Sequence, residues 1–176
     1  PELSALQPAL AGRQLVMFDS TDELDLERAW RIANEFKLNW VVNGTGYEYR
    51  YAQQLKRLGT RVIVPLNYPS APAVGNDDDA RKVPLGELEH WEWAPFNARV
   101  LAETGVPFAF TATGLKNPSR EFWQQVRDAV AHGLDEQAAL AALTVTPAQM
   151  LGLDDRLGSL KAGYRAQLVV ADADLF

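Results

Sequence analysis

The chain has 176 residues, of which 47% are hydrophobic and 23% are charged, and its net charge is −6. This composition is typical of a globular protein that is long enough to form one sizeable core. The acidic balance and the lack of a basic run argue against nucleic acid as a partner, because phosphate would be repelled. No apolar stretch approaches the ~20 residues of a transmembrane helix, so no membrane span is predicted. The absence of cysteine excludes disulfides and thiolate metal ligands.

Four short apolar segments alternate with amphipathic segments along most of the chain. The predicted strands cover residues 14–18, 39–42, 61–66 and 106–111. The predicted helices cover residues 22–36, 47–58, 85–104 with a break near Pro95, and 119–132. Continuous apolar strands that alternate with helices are typical of a parallel sheet covered by helices. The pattern predicts an α/β fold and leaves open a barrel or an open doubly wound sheet. No Gly-x-Gly-x-x-Gly or P-loop motif supports a nucleotide-binding fold.

The C-terminal residues 132–176 follow a distinctive order of elements. A helix is predicted to begin near Asp135, where acidic residues suit the positive end of the helix dipole. A second short helix follows, with Thr146 as the expected N-cap and Pro147 at the first helical position. A charged turn then leads through Gly158 and Gly163 to a short apolar segment at residues 167–170, which is predicted to be a strand.

This order of elements resembles the C-terminal signature of the amidohydrolase superfamily, in particular its imidazolonepropionase-like members. These proteins are metal-dependent hydrolases built on a (β/α)8 barrel. One departure is Gln167, which stands where the family usually has Asp. The resemblance implies that residues 1–151 form strands five to eight of a TIM-type barrel. It also implies that residues 152–176 begin a small accessory β-structure, which in the family is formed from both chain ends.

In a parallel α/β barrel the reactive groups lie at the C-terminal ends of the strands. The strand ends here offer Asp19, Asn43, Asn67 and Thr113 as candidate pocket residues. The resemblance implies that the family's metal ligands would fall at or beside Asp19, at Asn43 or Gly44, and near Thr113. A catalytic zinc needs about three protein ligands, and Asn and Thr are poor ones. We therefore expect no metal on this chain, while zinc stays possible if the rest of the barrel is present.

The two histidines are expected to serve the structure. His132 precedes Gly133 at a predicted helix end, where the C-terminal dipole favours an imidazole. His90 lies in the sequence EHWEW, with no second ligand one helical turn away, so a half-exposed helix face is the expected environment. A metal site at either histidine is the less favoured alternative.

Neither of the two acidic runs in the sequence is predicted to bind a ligand. Residues 77–79 lack the alternation and the distal Glu of an EF-hand loop, so a solvated acidic loop is favoured over a calcium site. The acids at residues 19–25 are read as the N-cap and first turn of the following helix.

Two further features keep an alternative open. The small turn at residues 43–46 is expected to permit tight packing, and the alternative is an anion bound at the start of the next helix. Trp91, Trp93 and Phe96 are expected to pack internally, and the alternative is a contact with another domain or subunit.

Four strands cannot close an eight-stranded barrel, and the open edges promote association. The expected partner is the missing N-terminal half of the barrel or a second amidohydrolase domain, and the isolated chain is expected to form a homo-oligomer. We expect a structural, non-catalytic portion of a hydrolase acting on carbon–nitrogen bonds other than ordinary peptide bonds. One alternative is a catalytic fragment whose main metal ligands lie outside the chain, with Asp19 adding one. The other is a metal-free module that binds a small molecule.

Overall fold

A computed structural model describes residues 2–176 and shows one parallel sheet of four strands. The strands are β1 (Val16–Asp19), β2 (Trp40–Asn43), β3 (Val62–Pro65) and β4 (Phe108–Thr111). They lie in the order β1-β2-β3-β4, and each pair of neighbours is parallel. A doubly wound sheet reverses its strand order at a switch point. This sheet does not, so its topology is that of an arc of a barrel.

Helices follow the strands as the sequence pattern predicts. The α-helices are α1 (Gln7–Leu10), α2 (Glu23–Glu35), α3 (Ala52–Arg57), α4 (Asp77–Ala80), α5 (Leu85–Trp93), α6 (Asn97–Thr104), α7 (Pro118–Ala131), α8 (Glu136–Leu143) and α9 (Val145–Met150). Short 3-10 turns lie at Glu2–Leu6, Glu48–Arg50 and Ala94–Phe96. The turn at Ala94–Phe96 confirms the predicted break near Pro95.

Three local predictions need correction. The helix predicted over residues 47–58 starts as the 3-10 turn Glu48–Arg50 and becomes α-helical only at Ala52. Residues 77–79, for which the sequence predicts a solvated acidic loop, lie in α4, and Asn76 Oδ1 accepts a hydrogen bond from the Asp79 N–H at 2.9 Å at its start. Thr146 is not an N-cap, because α9 already begins at Val145.

The alternation of side chains along each strand separates two faces of the sheet. One face is covered by helices and forms the main core. Its fully buried members include Leu26, Val62, Val64, Leu55 and Leu101. The opposite face carries a smaller cluster in which Met150 of α9 packs with Val41 and Ala109. The candidate site lies on this second face, at the C-terminal ends of the strands.

The strand predicted at residues 167–170 does not form. These residues have no strand partner among residues 2–176, and Leu168, Val169 and Val170 are 59%, 73% and 92% exposed. A β-strand needs a neighbouring strand to satisfy its backbone groups, and none reaches this segment. The chain returns to the fold at its end, where Arg127 Nε donates to the Leu175 carbonyl at 3.1 Å and Phe176 packs against the main core.

One flank of the sheet is apolar and exposed. Leu24, Ile32 and Phe36 are 60%, 47% and 48% exposed, and their spacing of eight and four residues places them on one side of α2. Met17, on the edge strand β1, is 50% exposed, and it lies on the face of the sheet opposite the main core. We call Leu24, Ile32 and Phe36 the β1 flank. Exposed apolar stripes of this kind are typical of contact surfaces.

Candidate functional site

The ends of β1 and β2 are joined by side chains. Asp19 and Asn43 are direct register partners, and both lie on the face of the sheet opposite the main core. Asn43 Nδ2 donates a hydrogen bond to Asp19 Oδ1 at 2.9 Å. The two strand-end residues that the sequence singled out are therefore in contact.

A cleft of about 240 Å³ lies at this edge of the sheet. Its lining consists of Asp19, Ser20, Thr21, Asn43, Gly44, Thr45, Ile63, Pro65, Thr111 and Thr113. Asp19 is the single carboxylate among these residues, and the described lining contains no histidine, lysine or arginine. The cleft therefore offers one negative charge, an amide and several hydroxyls above an apolar floor.

The cleft brings together three of the four predicted pocket residues, Asp19, Asn43 and Thr113. Asn67, the fourth, follows β3 and lies against Gly114 instead. A Cβ added to Gly114 would lie 2.6 Å from Asn67 Nδ2, so only glycine allows this approach. Whether any of the four binds a ligand stays a prediction.

Two threonine hydroxyl groups are hydrogen-bonded to each other at the end of β4. Thr111 Oγ1 lies 2.9 Å from Thr113 Oγ1, and it also accepts the Thr113 backbone N–H at 3.2 Å. These bonds fold the segment after β4 back toward the strand end. Thr113 thereby becomes part of the wall of the cleft.

Glu48 is a buried residue that the sequence analysis did not identify. Only 1% of it is exposed, and its carboxylate accepts hydrogen bonds from the Thr45 N–H at 2.6 Å, the Gly46 N–H at 3.1 Å and Asn97 Nδ2 at 2.6 Å. The turn at residues 43–46 does hold an anion, but that anion is the chain's own carboxylate. The turn is expected to permit tight packing, and the bound carboxylate takes the place of the free anion that was its alternative.

A recognisable sequence signal marks Glu48. Thr45-Gly46-Tyr47-Glu48 has the T-x-x-E spacing of a capping box, in which the acid reaches back to the backbone N–H of the first residue. The observed bond from the Thr45 N–H to Glu48 Oε1 is this contact. Gly44 makes room for it, since a Cβ there would lie 2.4 Å from Glu48 Oε1.

The histidines lie away from the cleft. His132 caps the C-terminus of α7, with Nδ1 2.7 Å from the Asp128 carbonyl oxygen. The ring of His90 on α5 stacks on Tyr47 with centroids 3.6 Å apart, and its Nδ1 lies 3.4 Å from the Tyr49 hydroxyl. Burial lowers the pKa of His90, and the Arg50 guanidinium nearby lowers it further. Both histidines are engaged by protein groups.

The donor set does not fit a metal ion. Within residues 2–176, no three His, Asp or Glu side chains are grouped so that they could hold one. Asp19 is the only charged oxygen donor in the described cleft, whereas zinc needs about three protein ligands.

The aromatic residues of α5 pack and are also partly exposed. Trp93 packs against Tyr49 and Phe96, with ring centroids 6.3 Å and 5.7 Å away. Trp91 and Trp93 are nevertheless 44% and 45% exposed. A shallow cavity of about 350 Å³ beside them is lined by Tyr49, Arg50, Glu89, Trp93 and Val100. The packing role is thus observed for Trp93 and Phe96, and the alternative of a contact surface stays open for the two tryptophans.

Known proteins similar to this chain are amidohydrolases. The sequence model of the amidohydrolase family matches residues 96–176. A curated protein, "Amidohydrolase tasK" of Hapsidospora irregularis, is 51% identical over 43 residues, which are 24% of this chain and 4% of that protein.

Solved structures match over nearly the whole chain. The amidohydrolase from Thermotoga maritima MSB8 has a TM-score of 0.71 and 25% identity, and the match covers 94% of this chain and 39% of that one. A second amidohydrolase structure has a TM-score of 0.67 at 18% identity, covering 95% of this chain and 40% of the other. A prolidase complexed with N-methylphosphonate-L-proline has a TM-score of 0.64 at 19% identity, covering 96% and 41%.

The parallel sheet in sequence order is part of a (β/α)8 barrel like that of the solved amidohydrolases. Residues 96–176 match the amidohydrolase family in sequence, and nearly the whole chain is similar in structure to a solved amidohydrolase. The chain spans about two fifths of the solved relatives and a small fraction of the curated one, so it is a partial domain. None of the helices within residues 2–176 is long and apolar enough to cross a membrane.

Proposed function

We propose that this chain is a structural, non-catalytic half of an amidohydrolase-like barrel. It belongs to a larger hydrolase that acts on carbon–nitrogen bonds other than ordinary peptide bonds. The observation that carries the proposal is the composition of the strand-end cleft, with one carboxylate beside an amide and hydroxyls. Activation of water at neutral pH requires a metal or a positioned base. The described cleft supplies neither a ligand set nor a histidine.

The partner in this proposal is the other half of the barrel. The chain covers 39–41% of the solved relatives while nearly all of it is matched, so about four further βα units would complete the fold. The β1 flank is the surface on which the preceding unit would pack. A second amidohydrolase domain is the other partner that the sequence predicts.

The accessory β-structure forms part of the same proposal. Leu168, Val169 and Val170 are apolar and exposed and have no strand partner among the described residues, which fits a strand whose partner comes from elsewhere in the complete protein. Residues 152–176 would then be the C-terminal share of that structure, and residues 1–151 the barrel share.

The test is the substitution Asp19→Ala in the complete protein that contains this chain. A scaffold role predicts that kcat/KM for an amide or cyclic amide substrate stays within about twofold of the parent. The thermal midpoint reports separately whether the fold has changed. A loss of activity by orders of magnitude with an unchanged midpoint would contradict the scaffold role.

That same loss is the result expected of the first alternative. There the chain is a catalytic fragment, most of the metal ligands lie outside it, and Asp19 adds one. Zinc would then be present only in the complete barrel. The carboxylate of Asp19, open to the cleft, is the observation that keeps this alternative in view.

The second alternative is a module that binds a small molecule without metal. The cleft of about 240 Å³ and its mixed polar and apolar lining are compatible with it. Such a module would be stabilised by its ligand in the presence of a chelator, because a ligand that binds only the folded state raises the free energy of unfolding. Neither of the other two roles predicts stabilisation of the isolated chain.

A further inference from the structure

We propose that the hydrogen bond between Asp19 and Asn43 takes the place of a metal ion as the link between the ends of β1 and β2. The inference rests on the proposed scaffold role and describes how the cleft keeps its shape in that role. The family implies a metal at this edge of the barrel, and the residues present do not fit one. A direct bond of 2.9 Å between register partners connects the same two strands.

Four other polar residues of the cleft are bonded within its rim, whereas the buried Thr45 Oγ1 has no hydrogen-bond partner among the described residues. Ser20 Oγ donates to the Asp22 carbonyl at 3.0 Å, and Thr21 Oγ1 donates to Asp25. Thr111 and Thr113 bond to each other. Each of these contacts joins a side chain near a strand end to a residue two to four positions further along the chain. Hydrogen bonds within the chain therefore hold these parts of the rim in place without a ligand.

The groups that could complete a ligand set are engaged elsewhere. The Glu48 carboxylate points into the turn at residues 43–46 and accepts bonds there and from Asn97. His90 is stacked on Tyr47, and His132 is bonded to the end of α7. Recruiting any of them to the cleft would break a contact of the fold. Asp19 and Asn43 then provide only two oxygen donors, one of them a neutral amide.

The hydrogen bond predicts energetic coupling between the two residues. We expect Asp19→Ala and Asn43→Ala each to lower the thermal midpoint by roughly 2–4 °C. The double variant should fall no further than the more damaging single one, because both remove the same bond. Thr113→Val is the matched control: it breaks a different bond of the same rim, so its effect should add to that of Asp19→Ala. Additive effects of Asp19→Ala and Asn43→Ala would overturn the proposal.

A zinc titration tests the other half of the inference. The thermal midpoint of the parent chain should be the same with excess zinc chloride and with EDTA. The variant Asp19→His/Asn43→His places two good ligands on paired strand ends, and its midpoint should rise with zinc, which proves that the assay detects binding there. Should the double variant not fold, Asn43→His alone keeps Asp19 as second ligand and serves the same purpose.

The outcomes are distinct from those of the scaffold test. A midpoint of the parent chain that rises with zinc, and ceases to do so after Asp19→Ala, would overturn the metal-free link. It would leave the scaffold role standing unless turnover in the complete protein also depends on Asp19.

Discussion

Glu48 is the residue that most strongly shapes the candidate site without lining it. Its carboxylate is fully buried and satisfied by two backbone N–H groups and an amide. Hydrogen bonds to a charged group contribute about 1.5–3 kcal/mol each, and an unsatisfied buried charge is costly. The contact therefore fixes the turn that follows Asn43, and it ties this turn to Asn97 on α6.

The substitution Gly44→Ala tests how tightly Glu48 is packed, because it adds one methyl group beside the carboxylate. Gly44→Ala would bring Cβ to 2.4 Å from Glu48 Oε1 and 3.1 Å from the Ile63 carbonyl oxygen. We expect a loss of ~1–3 kcal/mol in the free energy of unfolding, because the carboxylate must leave its donors or the turn must shift. Chemical denaturation measures this loss.

Gly86 provides the matched control for that substitution. It lies in α5, and an added Cβ there meets nothing within 4 Å. Gly86→Ala should raise the free energy of unfolding by ~0.5–1 kcal/mol, because alanine restricts the unfolded chain and favours the helix. Equal effects of the two substitutions would show that contact with Glu48 is not the cause.

His90 gives stability a dependence on pH. Its pKa in the folded chain lies below the ordinary value of 6.5, first through burial and then through Arg50. The unfolded chain therefore binds a proton more readily, and stability is full above about pH 6.5 and declines as the pH falls through the folded pKa. His90→Gln should show a flatter profile of stability below about pH 6.5. Identical slopes in the two proteins would contradict this account.

At the scale of elements, the strands and most helices follow from local pattern. The apolar runs at residues 39–42 and 106–111 became β2 and β4 within two residues at either end. Residues 167–170 have the same apolar character and did not become a strand. The difference is tertiary, because a strand forms only where a neighbour accepts its backbone hydrogen bonds.

The start of α2 confirms the interpretation of the acids near β1 as a helix N-terminus. Asp22 is the N-cap, and its Oδ1 accepts from the Leu24 N–H at 2.8 Å and the Asp25 N–H at 2.9 Å. Asp22→Ala should reduce the free energy of unfolding by ~1 kcal/mol, as measured by urea denaturation. Asp22→Asn keeps an accepting oxygen and should cost only a few tenths. A comparable loss in both variants would point to the charge rather than to the cap.

At the scale of the whole molecule, the chain has an exposed apolar flank and an open edge of its sheet. The solved relatives are longer, since the match covers only 39% and 40% of two of them. The exposed apolar side chains of the β1 flank favour association, because burying apolar surface stabilises a complex by roughly 25 cal/mol per Å².

The prediction at this scale concerns the isolated chain. Native mass spectrometry should show oligomers that grow with concentration, and Ile32→Glu in the β1 flank should shift them toward monomer. Leu85→Glu is the control, because Leu85 is 70% exposed but lies on α5, away from that flank. A parent chain that is monomeric at all concentrations would refute self-association through this surface.

The sequence by itself determined the alternation of strands and helices, the resemblance of residues 132–176 to one superfamily, and the residue types at the strand ends. These follow from local periodicity, turn residues and chemical identity, which need no knowledge of distant contacts. Only the tertiary structure decided that Asp19 meets Asn43, that Glu48 fills the neighbouring turn, that Asn67 stands apart from the cleft and that residues 167–170 stay unpaired. Each of these depends on which strands become neighbours and on which side chains fill the space between them. Such long-range packing produces no periodic pattern in the sequence.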